Sequence, residues 1–149
     1  MSACRDTVTG FFQDDHRRLD DVFERYRRER MVPDGEPLAA FGQFADGLRR
    51  HIAWEEDHLF PLCEERTGMA LAGPTEVMRR EHREIERLLD GLAESLGRGI
   101  RAGLDEAEDR LADMLGRHNV KEEQVLYPGI DGLLDGEECR RLFARIRGE

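Results

Sequence analysis

His51-Ile52-Ala53-Trp54-Glu55-Glu56-Asp57-His58-Leu59-Phe60-Pro61 and His118-Asn119-Val120-Lys121-Glu122-Glu123-Gln124-Val125-Leu126-Tyr127-Pro128 are one pattern written twice. Both spell H-x-x-x-E-E-x-x-L-[F/Y]-P. A histidine and a glutamate four apart on a helix project from the same face, one turn apart. Upstream of each copy stands a segment carrying one more histidine, Asp15-His16-Arg17-Arg18-Leu19 and Glu81-His82-Arg83-Glu84-Ile85. A helical pair has been used twice, which points to an all-α chain with internal duplication.

Working outward, apolar residues recur at spacings of three and four in each of four segments. They predict helices over about 9–30, 37–66, 74–96 and 103–127, with a short amphipathic tail helix over about 136–147. Phe12, His16, Leu19, Phe23 and Tyr26 mark the inner stripe of the first segment. Phe41, Phe44, Leu48, His51, Glu55, Leu59 and Leu62 mark the second, and Met78, His82, Ile85, Leu89 and Leu92 the third. Leu104, Leu111, Leu115, His118, Glu122 and Val125 mark the fourth. Pro37 suits a first helical turn, Pro61 is expected to kink the second helix near its end, and Gly68 stops it. No run alternates with period two. Four such helices with short links fit one up-down-up-down four-helix bundle, spanning 1–149 as a single domain.

The chain has 149 residues and a formal net charge of −10. That acidity argues against a nucleic-acid partner, which selects a basic face. No segment approaches the length of a membrane span, and the first residues lack the apolar stretch of a signal peptide, so a cytoplasmic protein is expected. Cys4, Cys63 and Cys139 form no C-x-x-C pair and no zinc spacing, so reduced thiols are expected.

The inward faces carry four imidazoles and two carboxylates. Burying such groups without a partner costs a few kcal/mol each, on the order of several hydrogen bonds. Bound cations remove that cost. A carboxylate has two oxygens and can span two ions, whereas an imidazole binds one. Two cations bridged by Glu55 and Glu122 is the arrangement that uses every group. Mixed nitrogen and oxygen ligands suit iron, with manganese or zinc as substitutes.

These motifs resemble the hemerythrin-like (HHE cation-binding) family over essentially the whole stretch from His16 to Pro128. The resemblance implies a four-helix bundle with two Fe ions and an oxo or hydroxo bridge. It implies His16 and His51 on one iron, His82 and His118 on the other, and Glu55 and Glu122 between them. Two departures from the oxygen-carrying hemerythrins matter. Those carriers have a fifth histidine on the third helix, whereas Met78 and Glu86 stand four residues either side of His82. Their fourth-helix carboxylate is an aspartate one residue beyond the place taken here by Glu122. The set here is closer to bacterial proteins tied to nitric oxide, peroxide and iron–sulfur repair. Fewer protein ligands leave more open positions, which favours reaction over reversible carriage.

Other residues divide between chemistry and packing. His58 and Glu86 are possible extra ligands, although His58 reads better as a histidine at the mouth of the bundle. Glu56 and Glu123 are read as surface groups or as carboxylates that orient a histidine. Met78 is read as a core filler, Tyr26 and Tyr127 as core residues in preference to hydrogen-bond donors near the site, and Trp54 as facing outward or into a helix interface. Phe12, Phe44, Leu48, Met78, Leu115 and Val125 are expected to keep the site apolar. The expected partner is a small diatomic or a peroxide: O₂, NO or H₂O₂. The expected role is stress defence or metal-centre repair. The alternatives are an oxygen or iron sensor or storage module, and a bundle that metal merely stabilises.

Overall fold

The computed structural model describes residues 6–69 and 73–148; Cys4 lies outside them. The described residues are all-helical, with no strand among them. Helix α1 is Val8–Met31 and α2 is Pro37–Trp54. A π-helical turn, Glu55–Leu59, joins α2 to α3, Phe60–Thr67. Helix α4 is Pro74–Gly97 and α5 is Leu104–Lys121. A second π turn, Glu122–Leu126, leads into α6, Tyr127–Asp131, and α7 is Gly136–Arg147. The helix predicted to end near residue 127 therefore continues past Pro128 to Asp131.

Each π turn has a cause in the motif that contains it. Proline has no N–H to give to the carbonyl four residues back, and its ring crowds that carbonyl. The turn before Pro61 widens instead, and the Phe60 N–H bonds to the Glu55 carbonyl, five residues back. The turn before Pro128 does the same through Tyr127 and Glu122. The expected kink at Pro61 takes the form of this widened turn. Gly68 then ends α3 with φ +70°, a left-handed conformation that glycine adopts without steric cost.

Helix α1 packs on α2, α2 on α4, and α4 on α5. The buried apolar residues form two clusters. One contains Leu19, Phe23, Tyr26, Phe41, Phe44, Leu48, Ile85, Leu89, Leu111 and Leu115. The other contains Val8, Phe12, Leu59, Phe60, Met78, Leu126, Tyr127, Leu142 and Phe143. Each such side chain contributes roughly 1.5–3 kcal/mol when fully buried. The four histidines interrupt these stripes: Phe12 and Leu19 flank His16 on α1, and Met78 and Ile85 flank His82 on α4. A polar layer thus lies between two apolar ones.

The ends are tied together. Asp131 accepts from Val8 N at 2.7 Å and Thr9 N at 3.0 Å, satisfying amides that the start of α1 leaves without helical partners. Helix α7 opens with a reciprocal capping box between Asp135 and Glu138, and Phe143 packs 5.0 Å from Phe11, centroid to centroid. At the far end, fully buried Glu108 accepts two bonds from Arg30, at 2.7 and 3.0 Å. Cys63 is a free buried thiol, but Cys139 is disulfide-bonded, so the expectation of three reduced thiols does not hold. The fold-back of α7 onto the start of α1 is a tertiary event that cysteine spacing does not encode.

Candidate metal centre

His16, His51, Glu55, His82, His118 and Glu122 are all buried, and the structure brings them together. One atom from each of Glu55, His82, His118 and Glu122 lies within 4.8 Å of the others. His16, His51 and Glu122 form a second group by the same measure. Glu122 belongs to both. Its Oε1 is 3.2 Å from His16 Nε2 and 3.2 Å from His118 Nε2. Glu55 Oε1 is 3.2 Å from His82 Nε2 and 3.6 Å from His51 Nε2.

Every imidazole is held from behind by a carboxylate on its Nδ1. Asp15 of α1 contacts His51 of α2 at 2.8 Å. Glu56 of the first π turn contacts His82 of α4 at 2.6 Å. Glu81 of α4 contacts His118 of α5 at 2.8 Å. Glu123 of the second π turn contacts His16 of α1 at 2.7 Å. The four contacts form a closed ring, each passing from one helix to the next. An Nδ1–H donated to a carboxylate leaves Nε2 as the inward lone pair, which is the tautomer a cation needs. Glu56 and Glu123 were legible as orienting groups. Asp15 and Glu81 were missed, although each directly precedes a site histidine.

Tyr127 combines the two readings that its sequence position allows, core packing and hydrogen bonding at the site. Its ring is fully buried in the apolar cluster and its hydroxyl reaches into the centre. The O–H lies 2.6 Å from Glu55 Oε2 and 2.9 Å from Glu122 Oε1. Tyr26 is buried in the other apolar cluster, as a core residue. Val125, expected inward, is 66% exposed. His58 is half-buried beside Leu62, Arg66 and Arg145, outside both ligand groups. Glu86 pairs with Arg83 at 3.6 Å and also lies outside them. Trp54 is partly buried against Phe11 and Arg50.

One cause accounts for His58, Val125 and Tyr127. A π turn holds one residue more than an α turn. After Glu55 the inward positions become Leu59 and Phe60, and after Glu122 they become Leu126 and Tyr127. The residue three past each glutamate, His58 or Val125, rotates outward.

The electrostatics are those of a crowded polar layer. Burial and the charge of Glu122 push the Glu55 carboxyl up to about 7. Burial also works against Glu122, but hydrogen bonding with Glu55 and with the imidazoles of His118 and His16 holds it well below the usual range. Burial opposes charge on His16 and His82. For His16 the carboxylates of Glu122, Glu123 and Glu55 outweigh it, and for His82 those of Glu55, Glu56 and Glu122, so both rise to about 9. A cation must therefore displace protons to bind.

Unpaired atoms test whether a cation fits. Glu55 Oε1, His82 Nε2 and Glu122 Oε2 are buried without an aligned hydrogen-bond partner, despite the short spacing between the first two. Each such atom costs about 1–3 kcal/mol. They lie among the atoms of the His82/His118 ligand group, where a cation that displaces the protons would satisfy them together.

Comparison with known proteins gives a relative and a family. The chain is 29% identical to the iron-sulfur cluster repair protein YtfE of Edwardsiella ictaluri (strain 93-146), over 84% of the chain and 63% of that protein. The chain thus spans less than two thirds of the relative's length. No solved structure matches. The family model for the hemerythrin HHE cation binding domain matches residues 7–130, and the chain belongs to that family.

Proposed function

We propose that this chain is an up-down-up-down four-helix bundle that holds two iron ions and binds or reacts with a small oxidant or diatomic. O₂, NO and H₂O₂ are the candidates, and stress defence or metal-centre repair is the setting. His16 and His51 would hold one ion, His82 and His118 the other, with Glu55 and Glu122 between them. The observation that carries the reading is the pair of adjoining buried His/Glu groups with unpartnered donor atoms. The printed name of the YtfE relative, which concerns iron–sulfur cluster repair, favours the repair setting.

Bound iron would supply one-electron exchange and an open position for a small ligand. The protein's own contributions are separable from that. The carboxylate ring fixes each imidazole. In the metal-free chain the Tyr127 hydroxyl donates toward Glu55 and Glu122. Phe12 and Phe60 press against His51 and His82, at 5.2 and 5.7 Å between ring centroids, and exclude water. Manganese and zinc fit the same donors. No helix among the described residues is long and apolar enough to cross a membrane. A cytoplasmic location is part of this reading, and it requires the Cys139 disulfide to be open there, because cytosolic reductants keep thiols reduced.

The test is metal content of the purified chain, followed by mixing the reduced protein with O₂, NO and H₂O₂ under rapid spectroscopic detection. Two irons per chain and a spectral reaction with at least one of the three are expected. Reversible binding without consumption would move the function to sensing or storage. A chain that takes up no iron would end the proposal.

A further inference from the structure

The duplicated motif ends differently in its two copies: Phe60 in the first, Tyr127 in the second. The π turns aim both rings at the polar layer. Phe60 stacks on His82 with 5.7 Å between centroids and 10° between planes, and offers no donor atom. Tyr127 puts its hydroxyl oxygen 3.4 Å from His16 Nε2 and 3.4 Å from His51 Nε2. The ligand groups are unequal in the complementary sense. The His82/His118 group gathers both glutamates, and the His16/His51 group gathers only Glu122.

Resting on the metal-site reading above, we propose that the Tyr127 oxygen is a protein ligand of the His16/His51 position, making the two metal positions chemically unlike. Donor atoms that share one ion at bond lengths of about 2.1 Å stand roughly 3 Å apart. The phenol oxygen already stands at about that spacing from four candidate donors: His16 Nε2, His51 Nε2, Glu55 Oε2 and Glu122 Oε1. An ion bonded to that histidine pair is within bonding reach of it. The ring is held there by Phe12, stacked at 5.2 Å, and by full burial, so the hydroxyl leaves only if the core repacks. Coordination breaks the O–H bond and forms an oxygen–metal bond from the oxygen's lone pair. The proton goes to the buffer, and no electron is transferred. The other position, walled by Phe60, keeps its free coordination sites for an external ligand.

Tyr26 and Tyr127 are the chain's two tyrosines, so assignment is direct. Titrating the full chain with Zn²⁺ should raise the ultraviolet difference absorption of one tyrosinate per chain. The ferric protein should show a visible phenolate-to-iron charge-transfer band and tyrosinate ring modes in resonance Raman. Tyr127→Phe should lose all of these signals, and Tyr26→Phe should keep them. Two cations bound by the unaltered chain without tyrosinate signals would overturn this proposal and leave the metal site standing. Signals that persist in Tyr127→Phe would overturn it too. A chain that binds neither Zn²⁺ nor iron would overturn both readings.

Discussion

Glu122→Gln is the substitution that tests the shared carboxylate most directly. Glu122 is fully buried and is the one residue common to both ligand groups. Its Oε1 is equidistant, at 3.2 Å, from a histidine of each group. Glutamine keeps the volume and removes the charge. A unit charge about 4 Å from another is worth about 4 kcal/mol at an effective dielectric near 20. Imidazolium neighbours shield the carboxylate in the metal-free protein, and halving the figure for that leaves about 2 kcal/mol, or about thirtyfold in affinity at each position. Competition titration with a chelator, together with metal analysis after dialysis, measures it. Both positions should weaken together. Glu55→Gln should also weaken both positions, and more strongly the His82/His118 one, whose ligand group contains Glu55. Wild-type affinity at either position in Glu122→Gln would refute the shared role, and with it the two-ion geometry.

His58→Ala should retain two cations per chain by metal analysis, because the π turn carries that ring away from the ligands; loss of either ion would contradict the rotation. Glu81→Gln removes the charge behind His118 and should lower affinity at the His82/His118 position about 10–100-fold while helix content by circular dichroism stays unchanged. An unaltered affinity would show that the ring of carboxylates does not tune the imidazoles. Acid stability follows from Asp15 and Glu56. Burial alone would raise both carboxyls, but hydrogen bonds from His51 and Arg18 lower Asp15 from 3.8 to about 2, and those from His82 and Arg83 lower Glu56 from 4.5 to about 2. The unfolded chain therefore binds more protons in that window, so this stability is present above pH 4.5 and is lost as pH falls toward 2. Denaturant midpoints that stay flat between pH 5 and 2 would count against those contacts.

Much of the centre was legible because it obeys α-helical arithmetic. His51 and Glu55, like His118 and Glu122, are one turn apart, and the apolar stripe around each carries it inward. The helix starts at Pro37 and Pro74 and the stop at Gly68 follow from local backbone chemistry. What escaped were features set between helices or by a break in the period. Arg30 and Glu108 pair across α1 and α5, 78 residues apart. Asp15 and Glu81 look like ordinary surface acids until the next helix is placed beside them.

Taken alone, the duplicated motif determined an all-helical chain and the identity of six side chains that must share one buried layer, since periodicity is a property of a single helix. Only the tertiary structure decided which atoms face one another. It closed the ring of carboxylates around the imidazoles, turned His58 and Val125 out, and brought the Tyr127 hydroxyl in. The physical reason is that one extra residue in a π turn rotates everything beyond it, and the sequence shows that widening only as a proline.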